Sequence, residues 1–180
     1  EYGGDPSKLK LFINDFNLES WWDGNKKAKS LVEWIKRWES DGVTKIDGIG
    51  TQMHVSYILN EADQKAQEDA IVNMFKILAA SDKLIKISEL DMGIVDKEFG
   101  TAIKTENVTY EQQLKMAEFY QFIINKYFEI IPVEQQYGIT QWCATDSPAD
   151  SGWRPGEPTG LWNSSFKRKP TYAGFANGLA

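Results

Sequence analysis

The sequence predicts an α/β protein in which a parallel β-sheet is covered by helices. Apolar strand-like runs and amphipathic helical runs alternate along the 180 residues, with four of each. Such alternation is typical of βα units whose strands run parallel. Polar side chains also gather where each apolar run ends, and both barrels and doubly wound sheets place their binding sites at the carboxyl ends of their strands. We therefore expect one sheet with a cleft along one of its edges.

The composition excludes several classes of protein. With 20 basic and 26 acidic residues the net charge is −6, and without a basic cluster a nucleic-acid partner is not expected. The most apolar stretch, residues 119–133, is interrupted by Asn125, Lys126 and Glu129, too soon to cross a membrane. The single cysteine, Cys143, excludes an internal disulfide and a cysteine-based zinc site. The length suits one sizeable core, so we expect residues 1–180 to belong to one domain.

The first predicted unit covers the amino-terminal fifth of the chain. A turn at residues 3–6 precedes a buried strand, Leu9–Phe16, that ends in polar residues. A helix is predicted over Asn25–Glu39, followed by a glycine that stops it. Its apolar residues at helical spacing are Leu31, Trp34, Ile35 and Trp38. We therefore expect Trp34 and Trp38 to face the core.

The second predicted unit begins with the strand Ile46–His54. Alternation along this strand places small glycines, Gln52 and His54 on one face. This pattern indicates a crowded interior that opens at the end of the strand, where His54 lies. The helical spacing of apolar residues then predicts a helix over Glu61–Ala80.

The third strand, Leu84–Met92, carries two acids at its end. Alternation predicts that one of its faces presents Ile85, Ile87, Glu89 and Asp91. Lys86 would lie on the opposite, helix-covered face and would have to extend out to solvent. A face that runs from aliphatic side chains into carboxylates is typical of a barrel strand whose carboxyl end faces a cleft. Two acids at the frayed end of an ordinary strand would give the same pattern.

The rest of the chain predicts a long loop, a helix, a strand, another loop and a short helix. The loop Gly93–Val108 is of the kind that lines a site. A capping box opens a helix over Thr109–Ile131. The fourth strand, Tyr137–Thr145, leads into the Pro- and Gly-rich loop Ser147–Gly160, and the last helix begins near Pro170.

Three of these residues could form a catalytic site on chemical grounds. Glu89 could act as a nucleophile or base with His54 as its partner, and Asp91 could orient the imidazole. A satisfied core histidine is the alternative for His54. One histidine with two carboxylates lacks the second imidazole of the usual non-haem iron site, and no glycine-rich phosphate loop is present, so we expect no metal and no cofactor.

Six motifs together resemble the second half of the family 10 glycoside hydrolases, which are endo-β-1,4-xylanases. In chain order these motifs are LFINDFN (11–17), IDGIGTQMH (46–54), ISELDM (87–92), TQWCATD (140–146), Gly152-Trp153 and KPTY (169–172). The resemblance extends over nearly the whole chain. It implies a TIM (β/α)8 barrel to which this chain supplies strands five to eight and their helices.

The resemblance also implies a function and the residues that perform it. It implies an endo-1,4-β-xylanase that hydrolyses xylan with retention, with Glu89 as nucleophile and Asp91 holding His54 against it. The substrate-binding residues would be Asn14, Gln52, Trp142 and Trp153. No signal-like segment is visible at the start of the sequence, so an extracellular, periplasmic or cell-surface location is implied by the substrate class alone.

The sequence departs from the family pattern at three points. Phe16 stands where a tyrosine is common, and Thr51 where a bulky residue is frequent. The acid/base glutamate of an Asn-Glu pair has no counterpart, because the only such pair, Asn60-Glu61, precedes a helix. The resemblance therefore implies that an N-terminal half of the barrel is a partner of this chain. A non-catalytic half-barrel that binds β-glycans or serves in assembly is the alternative.

Overall fold

The chain forms a parallel β-sheet with helices packed on one of its faces. The computed structural model describes residues 4–5 and 8–180, so residues 3 and 6 of the predicted opening turn lie outside the described part. The strands are β1 (Phe12–Asp15), β2 (Gly48–Thr51), β3 (His54–Ile58), β4 (Leu84–Val95) and β5 (Gln136–Gln141). The helices are α1 (Lys26–Glu39), α2 (Glu61–Ala79), α3 (Tyr110–Ile130) and α4 (Pro170–Leu179). The predicted βα alternation is confirmed.

The sheet is curved, so that side chains from its two edge strands meet over one of its faces. Its hydrogen-bonded path runs β1, β2, β4, with β5 on the far side of β4, and all these pairs are parallel. In a flat sheet the outer strands of such a row would be about 14 Å apart. The ring of Phe12 on β1 nevertheless lies 4.6 Å from the ring of Tyr137 on β5, measured between centroids. The sheet therefore encloses a concave face, as the wall of a barrel does.

The predicted strand Ile46–His54 is divided into two strands. β2 pairs with the beginning of β4, and β3 pairs with its end, so both lie on the same side of β4. Between them Met53 adopts a left-handed conformation with φ of 62°. This interruption places His54 at the start of β3, where it is paired with Asp91. β4 extends beyond its predicted end at Met92 because its last residues pair with β3. It therefore includes Gly93, which the sequence predicted to lie in a loop.

The prediction that Ile85 and Ile87 face the cleft is wrong. Ile87 is paired with Thr51, whose hydroxyl lies 3.6 Å from the sulfur of Met74 on α2. Paired residues of neighbouring parallel strands point to the same face. Ile85 and Ile87 are both fully buried and therefore pack beneath the helices.

Lys86 lies on the concave face instead of the helix-covered face. It is paired with Gly50, and Gly50 is paired with Asn14. A Cβ on Gly50 would lie 2.3 Å from the side-chain oxygen of Asn14, so this glycine leaves room for that side chain on the concave face. The register of β4 shifts between Ile87 and Leu90, and the shift lets Glu89 return to the side of Asn14.

The predicted orientation of the α1 tryptophans is also wrong. Trp34 and Trp38 are 45% and 40% exposed, and their rings lie 5.9 Å apart on the outside of the helix. The buried face of α1 consists of Ala28, Leu31, Val32 and Ile35. The two indoles are at helical spacing from Leu31 and Ile35, but they lie at the border of the buried face of the helix.

The last two helices agree with the sequence. The capping box of Thr109 and Gln112 is present at the start of α3, and α4 begins at Pro170. α4 approaches α3 so closely that a Cβ on Gly174 would lie 2.1 Å from the carbonyl oxygen of Ala117. Within residues 4–5 and 8–180, no helix has the length and apolar character needed to span a bilayer.

Candidate active site

The polar residues predicted for the site converge at the carboxyl ends of β1 and β2 and in the middle of β4. Asn14 donates from Nδ2 to Oε1 of Glu89 at 2.9 Å. Nε2 of His54 lies 3.3 Å from the other carboxylate oxygen of Glu89, and Nδ1 lies 3.1 Å from Oδ1 of Asp91. Each oxygen of Glu89 therefore has a partner, so its carboxylate plane is fixed from two sides. The contact of Glu89, His54 and Asp91 that the sequence predicted is present.

Asp91 is a fully buried carboxylate with several partners. Its Oδ2 accepts a hydrogen bond of 2.6 Å from the indole nitrogen of Trp153, and Sγ of Cys143 lies 3.7 Å from the same oxygen. Its Oδ1 lies 3.6 Å from Nε of Arg154. A buried charge is tolerated when it is paired and hydrogen-bonded, and these contacts provide both.

Two tryptophans stand beside His54 and remain open to solvent. The ring of Trp153 lies 4.5 Å from the imidazole, and that of Trp142 lies 5.9 Å from it at 76°. Trp142 and Trp153 are 52% and 40% exposed. Flat indole faces beside a polar site are suited to the apolar faces of sugar rings.

Gln52 enters the site through its backbone. Its carbonyl accepts a hydrogen bond of 3.2 Å from the amide of Glu89, and its own amide donates to the carbonyl of Asp15 at 3.0 Å. Gln52 thus ties β1 to the segment of β4 that carries Glu89. Phe16, at the position where a tyrosine is common, lies at the rim under the ammonium group of Lys27, 3.6 Å from its ring centroid.

Sequence reasoning missed four residues of the site. Ser88 donates to Oδ1 of Asn14 at 2.6 Å and so orients the amide that holds Glu89. Arg154 and Cys143 contact Asp91 as described above. The fourth, Glu19, lines a cleft of about 230 Å³ next to His54. Ser88, Cys143 and Arg154 all lie inside or directly beside the recognised motifs, which was the available signal.

Glu19 is a buried acid whose environment disfavours its charge. Only 6% of the residue is exposed, and its Oε2 has no hydrogen-bond partner in the part of the chain that the structure describes. Burial raises the pKa of Glu19 to about 7, although a backbone hydrogen bond and the charges of His54 and Lys27 act in the opposite direction. Trp22 and Phe99, whose rings meet at 5.3 Å, also line this cleft.

Glu19→Gln is expected to remove a pH dependence of stability. The folded-state pKa of Glu19 lies above its ordinary value of 4.5, so the folded chain holds the proton longer than the unfolded chain. Stability is therefore lost as the pH rises from 4.5 to 7, by an amount on the order of 3 kcal/mol for this one group. Urea unfolding of this chain and of the variant, measured between pH 4.5 and 8, should give a smaller loss in the variant.

The matched control is Glu118→Gln on the exposed face of α3. This variant should show the same pH dependence as the wild-type chain. Equal losses of stability in Glu19→Gln and Glu118→Gln would show that Glu19 ionises normally in the fold.

Parallel strands covered by helices bring hydrogen-bonded carboxylates together beside exposed indoles, and α/β barrels place their sites at the carboxyl ends of such strands. The profile of glycosyl hydrolase family 10 matches residues 4–178. The chain belongs to this family, as its motifs predicted. The endo-xylanases of the family are retaining glycoside hydrolases.

Several relatives show how much of a family member this chain represents. It is 31% identical over 172 residues to Endo-1,4-beta-xylanase A of Thermoanaerobacterium saccharolyticum, a match that covers 93% of the chain and 12% of that protein. It is 32% identical to Exoglucanase XynX of Acetivibrio thermocellus, covering 96% of the chain and 14% of the relative. The chain therefore spans 12% and 14% of the length of these two relatives.

Solved structures of the same family also match this chain, and the match covers only part of each of them. A thermostable mutant of the xylanase Xyn10A from Cellvibrio japonicus superposes with a TM-score of 0.77 at 27% identity, covering 96% of this chain and 50% of that one. A mutant of Xylanase10C from Cellvibrio japonicus, in complex with xylopentaose, superposes with a TM-score of 0.75 at 26% identity and covers 97% and 34%. The α/β fold with a parallel sheet thus matches about half of a TIM barrel of the family.

Proposed function

We propose that this chain carries the nucleophile half of a retaining endo-1,4-β-xylanase, with Glu89 as the nucleophile. The observation that supports this most strongly is the double anchoring of the Glu89 carboxylate by Asn14 and His54. A carboxylate held by a hydrogen-bond partner on each oxygen is fixed in one orientation, as an attacking group must be. The family relation supplies the substrate class.

In the proposed reaction Glu89 attacks the anomeric carbon of a xylosyl unit. The bond from this carbon to the glycosidic oxygen breaks while a bond to the Glu89 carboxylate forms, and a second carboxylic acid protonates the leaving oxygen. Water then attacks the same carbon with that second group as base, which releases Glu89 and restores the configuration. Retaining enzymes hold the two carboxyl groups about 5 to 5.5 Å apart.

The other residues of the site would bind and orient the sugar. Trp142 and Trp153 offer exposed indole faces beside His54, and Asn14 places an amide next to the nucleophile. Gln52 lies where its backbone joins β1 to β4. Asp91 would hold His54 so that the imidazole faces Glu89.

We further propose that residues 1–180 form the C-terminal half of the catalytic barrel and supply its strands five to eight. In the described residues β1 and β5 each pair on one side alone, which leaves two sheet edges for further strands. The exposed pair Trp34 and Trp38 on α1 lines a surface depression together with Asp15 of β1, and a helix of the other half would cover it. That N-terminal half would carry the acid/base residue.

The test is to compare this chain alone with this chain combined with the segment that carries the other four strands. Hydrolysis of xylo-oligosaccharides is expected only for the combination, because the isolated chain lacks the proton donor. Proton NMR of the first products should show the β-anomer, since retention preserves the configuration of the substrate. A substrate of xylan type also suggests an extracellular, periplasmic or cell-surface location.

Each unexpected outcome has a definite meaning. Release of the α-anomer would contradict the assignment of Glu89 as a nucleophile. Hydrolysis by the chain alone would mean that an acid within it donates the proton. Binding of the oligosaccharide by the combination without hydrolysis would favour a non-catalytic half-barrel that binds β-glycans.

A further inference from the structure

Arg154 connects three parts of the site through one guanidinium group. Its Nη2 donates to the carbonyl of Val55 at 2.9 Å, and its Nη1 donates to the hydroxyl of Ser56 at 3.3 Å. Both residues follow His54 directly on β3. Its Nε lies 3.6 Å from Oδ1 of Asp91 on β4. Its Nη1 also reaches Glu157 in its own loop, at 3.3 Å.

The surroundings are shaped to hold this group in place. The side chain of Arg154 is only 15% exposed, and its backbone has a φ of 44°, which a residue with a side chain rarely adopts. A Cβ on Gly93 would lie 2.2 Å from Nη1 of Arg154, so the guanidinium occupies space that only a glycine leaves free. The other side of the same loop is held by hydrogen bonds from the Lys104 ammonium to the carbonyl of Pro155 and from the Thr105 hydroxyl to the carbonyl of Gly156.

We propose that Arg154 is a positioning residue that balances the charge of Asp91 and locks the loop of Trp153 onto the strand of His54. Asp91 is fully buried and faces His54, Trp153, Cys143 and Arg154, of which Arg154 alone is permanently charged. Arg154 would thus keep the orienting acid of the catalytic histidine in one arrangement. This role in catalysis rests on the proposed function, whereas the charge balance does not.

The pKa of the Cys143 thiol reports on this charge balance and can be measured without enzymatic activity. It is the only cysteine of the chain, and its sulfur lies 3.7 Å from Asp91. Burial raises the pKa of the Cys143 thiol, and the negative charge of Asp91 raises it further. Without a compensating guanidinium, the charge of Asp91 should act on the thiol more strongly.

The experiment compares Arg154→Met with Arg154→Lys in this chain by titrating the reaction of Cys143 with a disulfide reagent against pH. In Arg154→Met the midpoint should rise by about half a pH unit or more, because a nearby cation has been removed. In Arg154→Lys, which keeps the charge, it should stay near the wild-type value. If Arg154 only fastened the loop, both variants would react faster at every pH without a change of midpoint, and that result would overturn the proposal.

A second variant covers the case in which Arg154→Met fails to fold. Gly93→Ala keeps the arginine but pushes aside its guanidinium together with the Glu157 carboxylate that pairs with it, so it should raise the midpoint in the same direction. An unchanged midpoint in Gly93→Ala would contradict the proposal as well. In the combined, active protein, Arg154→Met should lower kcat by about tenfold or more and change KM less, while Arg154→Lys restores part of kcat. A shifted Cys143 midpoint in an inactive combination would uphold the charge balance and reject the proposed function alone.

Discussion

Glu89→Gln is expected to lower the rate of xylan hydrolysis by the combined protein about a thousandfold or more. The amide cannot form the glycosyl-enzyme bond, but it fills the same space. Its oxygen can still accept from Asn14, and its nitrogen can still face His54. We therefore expect the melting temperature to stay within a few degrees of the wild-type value. Hydrolysis is followed by release of reducing ends, and the fold by circular dichroism.

The matched control for this variant is Glu111→Gln, at an exposed acid in the first turn of α3. It should keep full activity. If Glu89→Gln retained more than about a tenth of the wild-type turnover, Glu89 would not be the nucleophile. A large drop in melting temperature would instead mark Glu89 as a structural residue.

Lys169→Met is expected to lower the free energy of unfolding by about 3 to 5 kcal/mol, because it leaves Asp146 as a buried charge without its partner. The ammonium of Lys169 donates to a carboxylate oxygen of Asp146 and to the carbonyls of Pro158 and Gly160, so all three of its protons are used. Both side chains are almost fully buried. Burial lowers the pKa of Lys169, and the charge of Asp146 opposes that change.

Urea unfolding of this chain measures the effect, with Lys126→Met as control. Lys126 pairs with Glu129 at 2.6 Å on the exposed face of α3, and loss of such a pair should cost less than about 1 kcal/mol. The double variant Lys169→Met with Asp146→Asn should recover part of the loss, since the unpaired charge is then removed. Equal effects of Lys169→Met and Lys126→Met would show that the buried pair contributes nothing to stability.

The fold class and the helix boundaries could be predicted from the sequence because they depend on local patterns, whereas the predicted strands were shortened, extended or divided in the structure. The capping box at Thr109 and the proline at the start of the last helix are signals contained within a few residues. The faces of the strands depend on alternation, and alternation is valid only while the strand is regular. The irregularity of β4 after Ile87 reversed the predicted faces for Ile85 and Ile87. No pattern in the sequence predicts such a shift of register.

The contact of Glu89, His54 and Asp91 could be predicted from the sequence, but the contacts of Arg154 could not. The motifs identified Glu89, His54 and Asp91, and the structure places these three together. The link from Arg154 to β3 joins residues almost a hundred positions apart, which no local pattern can reveal. The outward position of Trp34 and Trp38 depends on what α1 packs against, and helical spacing alone does not distinguish the centre of the buried face from its border.

The left-handed residue between β2 and β3 limits how the length of the chain can vary there. The left-handed turn at Met53 allows Gln52 to follow the end of β2 directly while His54 begins β3, paired with Asp91. An insertion or deletion of one residue between Thr51 and His54 would turn the imidazole toward the helices, because neighbouring residues of a strand point to opposite faces. Substitutions in this segment can be absorbed by repacking, whereas a change in its length would separate the histidine from both acids.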